Sequence, residues 1–168
     1  MQNRCKTIKL YGTATGAVYI LLAALLAACA APGPPPVHMS VELPILDQWR
    51  GDFPLSQLER LPDQQRAARA GYIGDAAHFA ALWQVFLPSK PLPEVDFSRH
   101  LVVFVRNLDF YNHTAIGKVM LDAGTVEIIA METLSARPIE DKVAMALALV
   151  PRAGVTSVLA GSERIPVN

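Results

Sequence analysis

Leu101-Val102-Val103-Phe104-Val105 is the most constrained stretch of the chain. Five consecutive apolar residues, three of them valine, are too few for a helix and leave no polar face for water. Such a run reads as a strand buried on both faces and placed centrally in a sheet. The cover for one face lies just upstream. Asp75, after Gly74, stands where an N-cap is wanted, and its carboxylate can accept from the free amides of a first helical turn. Phe79, Leu82, Trp83 and Phe86 then recur at three- and four-residue spacing, which predicts a helix over 76–86 with one apolar face. Pro88 ends it, and His78 falls on the flank of that face.

Downstream, 118–121 and 125–133 read as a hairpin across Asp122-Ala123-Gly124, the glycine taking the positive φ of a bulged turn. The run 143–150 is a further strand or an apolar helix; Pro151, Gly154 and the following 155–159 favour the strand, with a hairpin to Val158 or Leu159, and 165–167 is a short last strand. Upstream, 41–46 suits an edge strand provided Pro44 faces away from the ladder. Leu55, Leu58 and Leu61 fit one face of a short helical turn ended by Pro62, Trp49 is expected to lie as a lid on the core, and 70–73 looks like a strand ending. The expected fold is therefore α+β: one main helix packed on a mostly antiparallel sheet of about five to six strands.

The first 40 residues have a different character. Arg4, Lys6 and Lys9 precede an apolar run from Ala17 to Ala28, and small residues follow, the three parts of a secretory signal. Leu26-Ala27-Ala28-Cys29 closes the run and resembles the lipobox of bacterial lipoproteins. That resemblance implies cleavage before Cys29, a lipid on its thiol and fatty acylation, with palmitate-type chains, of the new amino terminus. Two other readings stay open. Leu10 to Val37 carries no charge and is long enough for a transmembrane anchor, although Gly12, Thr13, Thr15, Gly16 and Pro32 to Pro36 weaken it; a cleavable signal without lipid is the third. On the lipoprotein reading 1–28 is signal peptide, 29–40 a lipidated cysteine with a Pro-rich tether, and 41–168 a single globular domain. Ala30, where an aspartate would signal inner-membrane retention in that family, favours the outer membrane, facing periplasm or surface.

Three of the 15 Lys/Arg and none of the 15 Asp/Glu precede Cys29, so the cleaved chain carries 12 against 15, a net of −3. A mildly acidic surface argues against a nucleic-acid partner. Membrane attachment would rest on the lipid alone, and three acyl chains exceed the two signals that stable anchoring requires. Cys5 leaves with the signal and Cys29 is acylated, which leaves no disulfide, thiolate metal site or cysteine nucleophile.

Trp83, a Pro-rich loop, Val95-Asp96-Phe97 and the strand 101–105 together resemble the PrcB-like C-terminal domain, over about 72–167. The family occurs in secreted or lipid-anchored bacterial proteins and is named for an accessory subunit of a surface protease complex. The resemblance implies an accessory or binding role with an envelope protein partner, a protease among the candidates, and no catalytic residues. The Gly-Gly-Tyr-like turn frequent in the family is missing from 107–117. Asp96 also has a local reading: its carboxylate can bond the amides of Ser98 or Arg99 and fix the turn into the strand.

No nucleophile elbow, Ser-x-x-Lys or His-Glu-x-x-His motif occurs. His38, His78, His100 and His113 lack the short spacings of a metal site, so no metal, cofactor or catalytic residue is assigned. The loop 107–114 mixes aromatics with polar groups, and Leu108, Phe110, Tyr111 and His113 are its candidate binding residues. The chain therefore reads as a membrane-anchored, non-enzymatic protein-binding or accessory module. The alternative is a small-ligand-binding or hydrolytic periplasmic protein in which Asp109 and His113 of the same loop act together.

Overall fold

The computed structural model describes residues 39–133 and 137–168. The signal, the lipobox and the Pro-rich segment lie outside the described residues. The fold is α+β, mostly strand, with one main helix and two sheets. The strands are β1 (Val41–Leu43), β2 (Asp47–Pro54), β3 (Ala70–Ile73), β4 (His100–Arg106), β5 (Thr114–Asp122), β6 (Thr125–Glu132), β7 (Lys142–Pro151), β8 (Ser157–Ala160) and β9 (Glu163–Pro166). The helix α1 spans Ala76–Phe86, and two 3-10 turns, Leu55–Arg60 and Asp63–Gln65, follow β2.

The expected single sheet is thus divided. A four-stranded antiparallel sheet runs β2-β7-β4-β3, and a five-stranded mixed sheet runs β1-β5-β6-β8-β9. The apolar run forms β4, between β7 and β3, and its alternating residues serve two cores. Leu101, Val103 and Val105 point into the core between the sheets, with Ile116, Val119, Val126 and Val158 opposite. Val102 and Phe104 point the other way, under Phe79, Leu82, Trp83 and Phe86 of α1. The order is helix, sheet, sheet, and β4 is covered on both sides because both of its faces are apolar.

α1 forms as its sequence predicts. The Asp75 carboxylate accepts from the His78 amide at 2.9 Å. Burial raises the Asp75 pKa, but the hydrogen bonds and charge of His78 outweigh it and leave it below 3.8. His78 is exposed, and all four stripe residues are buried. Asp96 accepts from the Ser98 amide at 3.0 Å and the Ser98 hydroxyl at 2.5 Å, and these bonds hold its carboxyl below the ordinary value. Val95 and Phe97 on either side pack against the helix-side core.

Other expectations need correction. β7 does not turn back on 155–159; it pairs with β2 and β4, while β8 pairs in parallel with β6 and antiparallel with β9. Seven of the ten β7 residues are buried on one face or the other, so β7 belongs inside the sheet that is covered twice. In the β5–β6 hairpin Asp122 pairs directly with Thr125, leaving a two-residue turn in which Ala123 (φ 46°) and Gly124 (φ 84°) are both left-handed. That is the primed geometry which matches strand twist. The edge strand β1 stops at Leu43, before Pro44. β2 was not anticipated as a strand; it carries Trp49 as a half-buried lid, its ring 5.9 Å from Phe79 and 5.4 Å from Trp83.

Gly71 on β3 marks a close approach. A Cβ there would lie 2.1 Å from Gln65 Oε1 and 2.7 Å from Phe104 Cζ. Gln65 cannot easily yield, because it is buried and its Oε1 accepts from the Tyr72 amide at 2.6 Å. Gly71→Ala is expected to destabilise the protein by about 1–3 kcal/mol, the usual cost of overpacking. An unchanged urea midpoint would show that this junction has slack.

Candidate functional site

The loop 107–113 is built on one buried residue. Asn107, 2% exposed, accepts through Oδ1 from the amides of Asp109 (3.0 Å) and Phe110 (3.1 Å). Its Nδ2 donates to Glu132 Oε2 at 3.0 Å, and its backbone amide donates to Ala144 O at 3.2 Å. An asparagine that satisfies its own turn in this way fixes the loop backbone without regular structure. A second anchor lies further along. The Tyr111 hydroxyl donates to the Asp52 carboxylate, 2.9 Å from each oxygen. Lys142 Nζ bonds the same carboxylate at 2.8 Å and sits 5.4 Å from the Tyr111 ring centroid. The bond to Asp52 and its charge raise the Lys142 pKa, so this amine stays protonated and is no base at neutral pH.

The four candidate binding residues have different fates. Leu108 is half-buried against the helix-side core, Tyr111 is half-buried by its tie to Asp52, and His113 is exposed. Phe110 is 49% exposed and stands between the two anchors. Asp109 pairs with Arg69, which also lies 3.9 Å from Glu132, and among the described residues no hydrogen bond or ion pair links Asp109 to His113. His113 instead donates its backbone amide to Thr133 Oγ1 at 3.2 Å.

Beside the loop lies an open groove of about 780 Å³, lined among others by Arg50, Asp52, Tyr111, His113, Thr114 and Arg137. Its volume falls within the roughly 300–1,000 Å³ of small-molecule sites. The composition of the loop does not reveal Arg50, Asp52, Glu132 or Lys142, which join it from β2, β6 and β7, or Arg137, which comes from the segment between β6 and β7. Among the described residues no three His, Cys, Asp or Glu side chains are grouped to hold a metal ion, and no helix is long and apolar enough to cross a membrane.

No protein family, curated protein or solved structure matches this chain.

A buried cation lies at the far end of β4. Arg106, 1% exposed, donates through Nη2 to the carbonyls of Gln65 (3.3 Å), Arg66 (2.8 Å) and Ala68 (2.5 Å), and its guanidinium lies 5.9 Å from the Phe104 ring centroid. Burial pushes its pKa down to about 10, which still leaves it charged at neutral pH. It holds the second 3-10 turn against the sheet and does not line the groove.

Proposed function

We propose that the chain is a lipid-anchored bacterial lipoprotein acting as a non-enzymatic protein-binding or accessory module of the cell envelope. Leu26-Ala27-Ala28-Cys29 supports the anchor, through lipid on Cys29, and Ala30 supports the outer membrane. The observation that carries the binding role is Phe110, an exposed aromatic on a loop tied down on both sides by Asn107 and Tyr111. A large, rigid aromatic contact of this kind loses little conformational freedom on binding, which favours it as an interface anchor. Ile129 and Met131 on β6 are also exposed, at 44% and 60%. The pairing of Asp109 with Arg69 speaks against the hydrolytic alternative, which needs Asp109 beside His113.

The PrcB-like resemblance of about 72–167 suggests the partner class, an envelope protein, with a protease among the candidates. Trp83, Val95 and Phe97 in that resemblance serve the helix-side core, and Asp96 serves the turn, so recognition falls to the loop. Phe110→Ser should leave the fold intact and lower capture of the partner from detergent-solubilised envelope by about tenfold or more, the scale of one hot-spot residue. Tyr111→Phe, which removes the bond to Asp52 but keeps the ring, should weaken capture less. Equal capture by wild type and Phe110→Ser would refute the role of this loop.

A further inference from the structure

Two strand edges face the groove. Among the described residues β2 pairs only with β7, and β1 covers β5 only from Val119 to Leu121. Leu55 N donates to Asp141 O (2.9 Å) and Asn107 N to Ala144 O (3.2 Å), which sets the alternation of the ladder. Odd-numbered β2 residues bond β7, and Arg50 and Asp52 turn their N–H and C=O groups away from it. On β5, the bond from Thr133 N to His113 O (3.1 Å) turns the backbone groups of Thr114 and Ile116 away from β6. Gln48 Nε2 donates to Ile116 O at 2.7 Å and bridges the two edges. Beyond that bridge no strand among the described residues pairs with either edge. Among the described residues the backbone groups of Arg50 and Asp52 have no hydrogen-bond partner. Thr114, the β5 residue facing Arg50 and Asp52 across the groove, lines it and is 4% exposed.

The open edge is short and bounded. The Asp47 carboxylate takes the Gln48 amide at 2.7 Å, and Pro54 has no N–H, two devices that stop indiscriminate strand pairing. Between them only Arg50 and Asp52 offer backbone donors and acceptors. Both carboxylates in the groove are engaged, Asp52 by Tyr111 and Lys142 and Glu132 by Asn107. Glu140 and Asp141 lie in an adjoining recess of about 290 Å³ with Arg137, so no net charge selects the occupant.

We propose that this groove accepts an extended polypeptide segment of a protein partner, added as a strand to the open edge of β2 at Arg50 and Asp52. Main-chain hydrogen bonds supply affinity in this mode of recognition. The inference rests on the reading of the chain as a protein-binding module and adds what the partner presents. The test uses the full-length protein in detergent, panned against a random heptapeptide display library. A selected peptide should slow hydrogen exchange at the amides of Arg50 and Asp52. N-methylation of that peptide at one set of alternate residues, but not the other, should weaken binding about tenfold or more. Arg50→Pro removes one outward donor at an edge position that tolerates proline and should weaken binding similarly, whereas Arg50→Ala should stay within about threefold. If Arg50→Pro does not fold, the exchange and N-methylation results on wild type decide. Failure to select any peptide, protection elsewhere, or indifference to N-methylation would overturn strand addition. If Phe110→Ser abolishes partner capture while Arg50→Pro leaves it intact, the binding module stands and this inference falls.

Discussion

Cys29→Ser will abolish lipidation, giving either a soluble form outside the membrane fraction or an uncleaved precursor of higher mass that retains its first 28 residues. The expectation rests on Leu26-Ala27-Ala28-Cys29 behind a basic, then apolar, amino terminus. Each buried methylene of an acyl chain contributes about 0.8 kcal/mol to membrane attachment, so three chains hold firmly and none does not hold at all. The remaining chain has an excess of acidic residues and no polybasic patch to substitute for the lipid. Mass spectrometry and fractionation check this together. Unchanged mass and unchanged partitioning in the variant would contradict a lipidated Cys29.

Trp83→Ala will cost about 3–5 kcal/mol of stability, the range for truncating a buried aromatic. Trp83 is 3% exposed and meets Trp49 edge-on at 5.4 Å, Phe79 at 5.5 Å and Phe86 at 6.4 Å. Its Nε1 donates to Lys90 O at 3.0 Å, fixing the loop that leaves α1. Alanine would open a cavity among these rings and release that carbonyl, and small domains have only 5–15 kcal/mol in total. Trp83→Phe should retain most of the packing and lose about 1 kcal/mol for the hydrogen bond. Urea unfolding reads both, and a loss below about 1 kcal/mol for the alanine variant would mean that the indole is not the anchor of the helix-side core.

α1 and β4 were legible because their signals are local. A cap, a three-and-four stripe and an unbroken apolar run each state their own surroundings. β2 was hidden because Arg50, Asp52 and Pro54 outweigh the quieter alternation of Trp49, Gly51 and Phe53. That alternation is real: Trp49 and Phe53 serve the helix-side core, and a Cβ on Gly51 would lie 3.2 Å from side-chain atoms of both Phe86 and Leu87. The division into two sheets was not legible, because pairing is decided by which strand has two apolar faces to cover. β7 has two and sits next to β4, while β8 buries only Val158 and pairs elsewhere.

The candidate site divides in the same way. Sequence reading located the loop from its composition, and the structure places its aromatics unequally, with Tyr111 tied down and Phe110 presented. Nothing local foretells this. Asp52 lies 59 residues from Tyr111 and 90 from Lys142, and only the adjacency of β2 and β7 brings the three together. The open backbone of β2 is likewise a property of what is absent beside it, which no single stretch of sequence records.

The most direct test of the binding role places a photo-cross-linking benzoylphenylalanine at position 110 of the full-length protein in living cells. Leu92, 50% exposed in the loop after α1, serves as the control position. A partner held by the loop predicts a discrete, light-dependent adduct from position 110 and none from position 92. No adduct at 110, or the same adducts from both positions, would contradict the account.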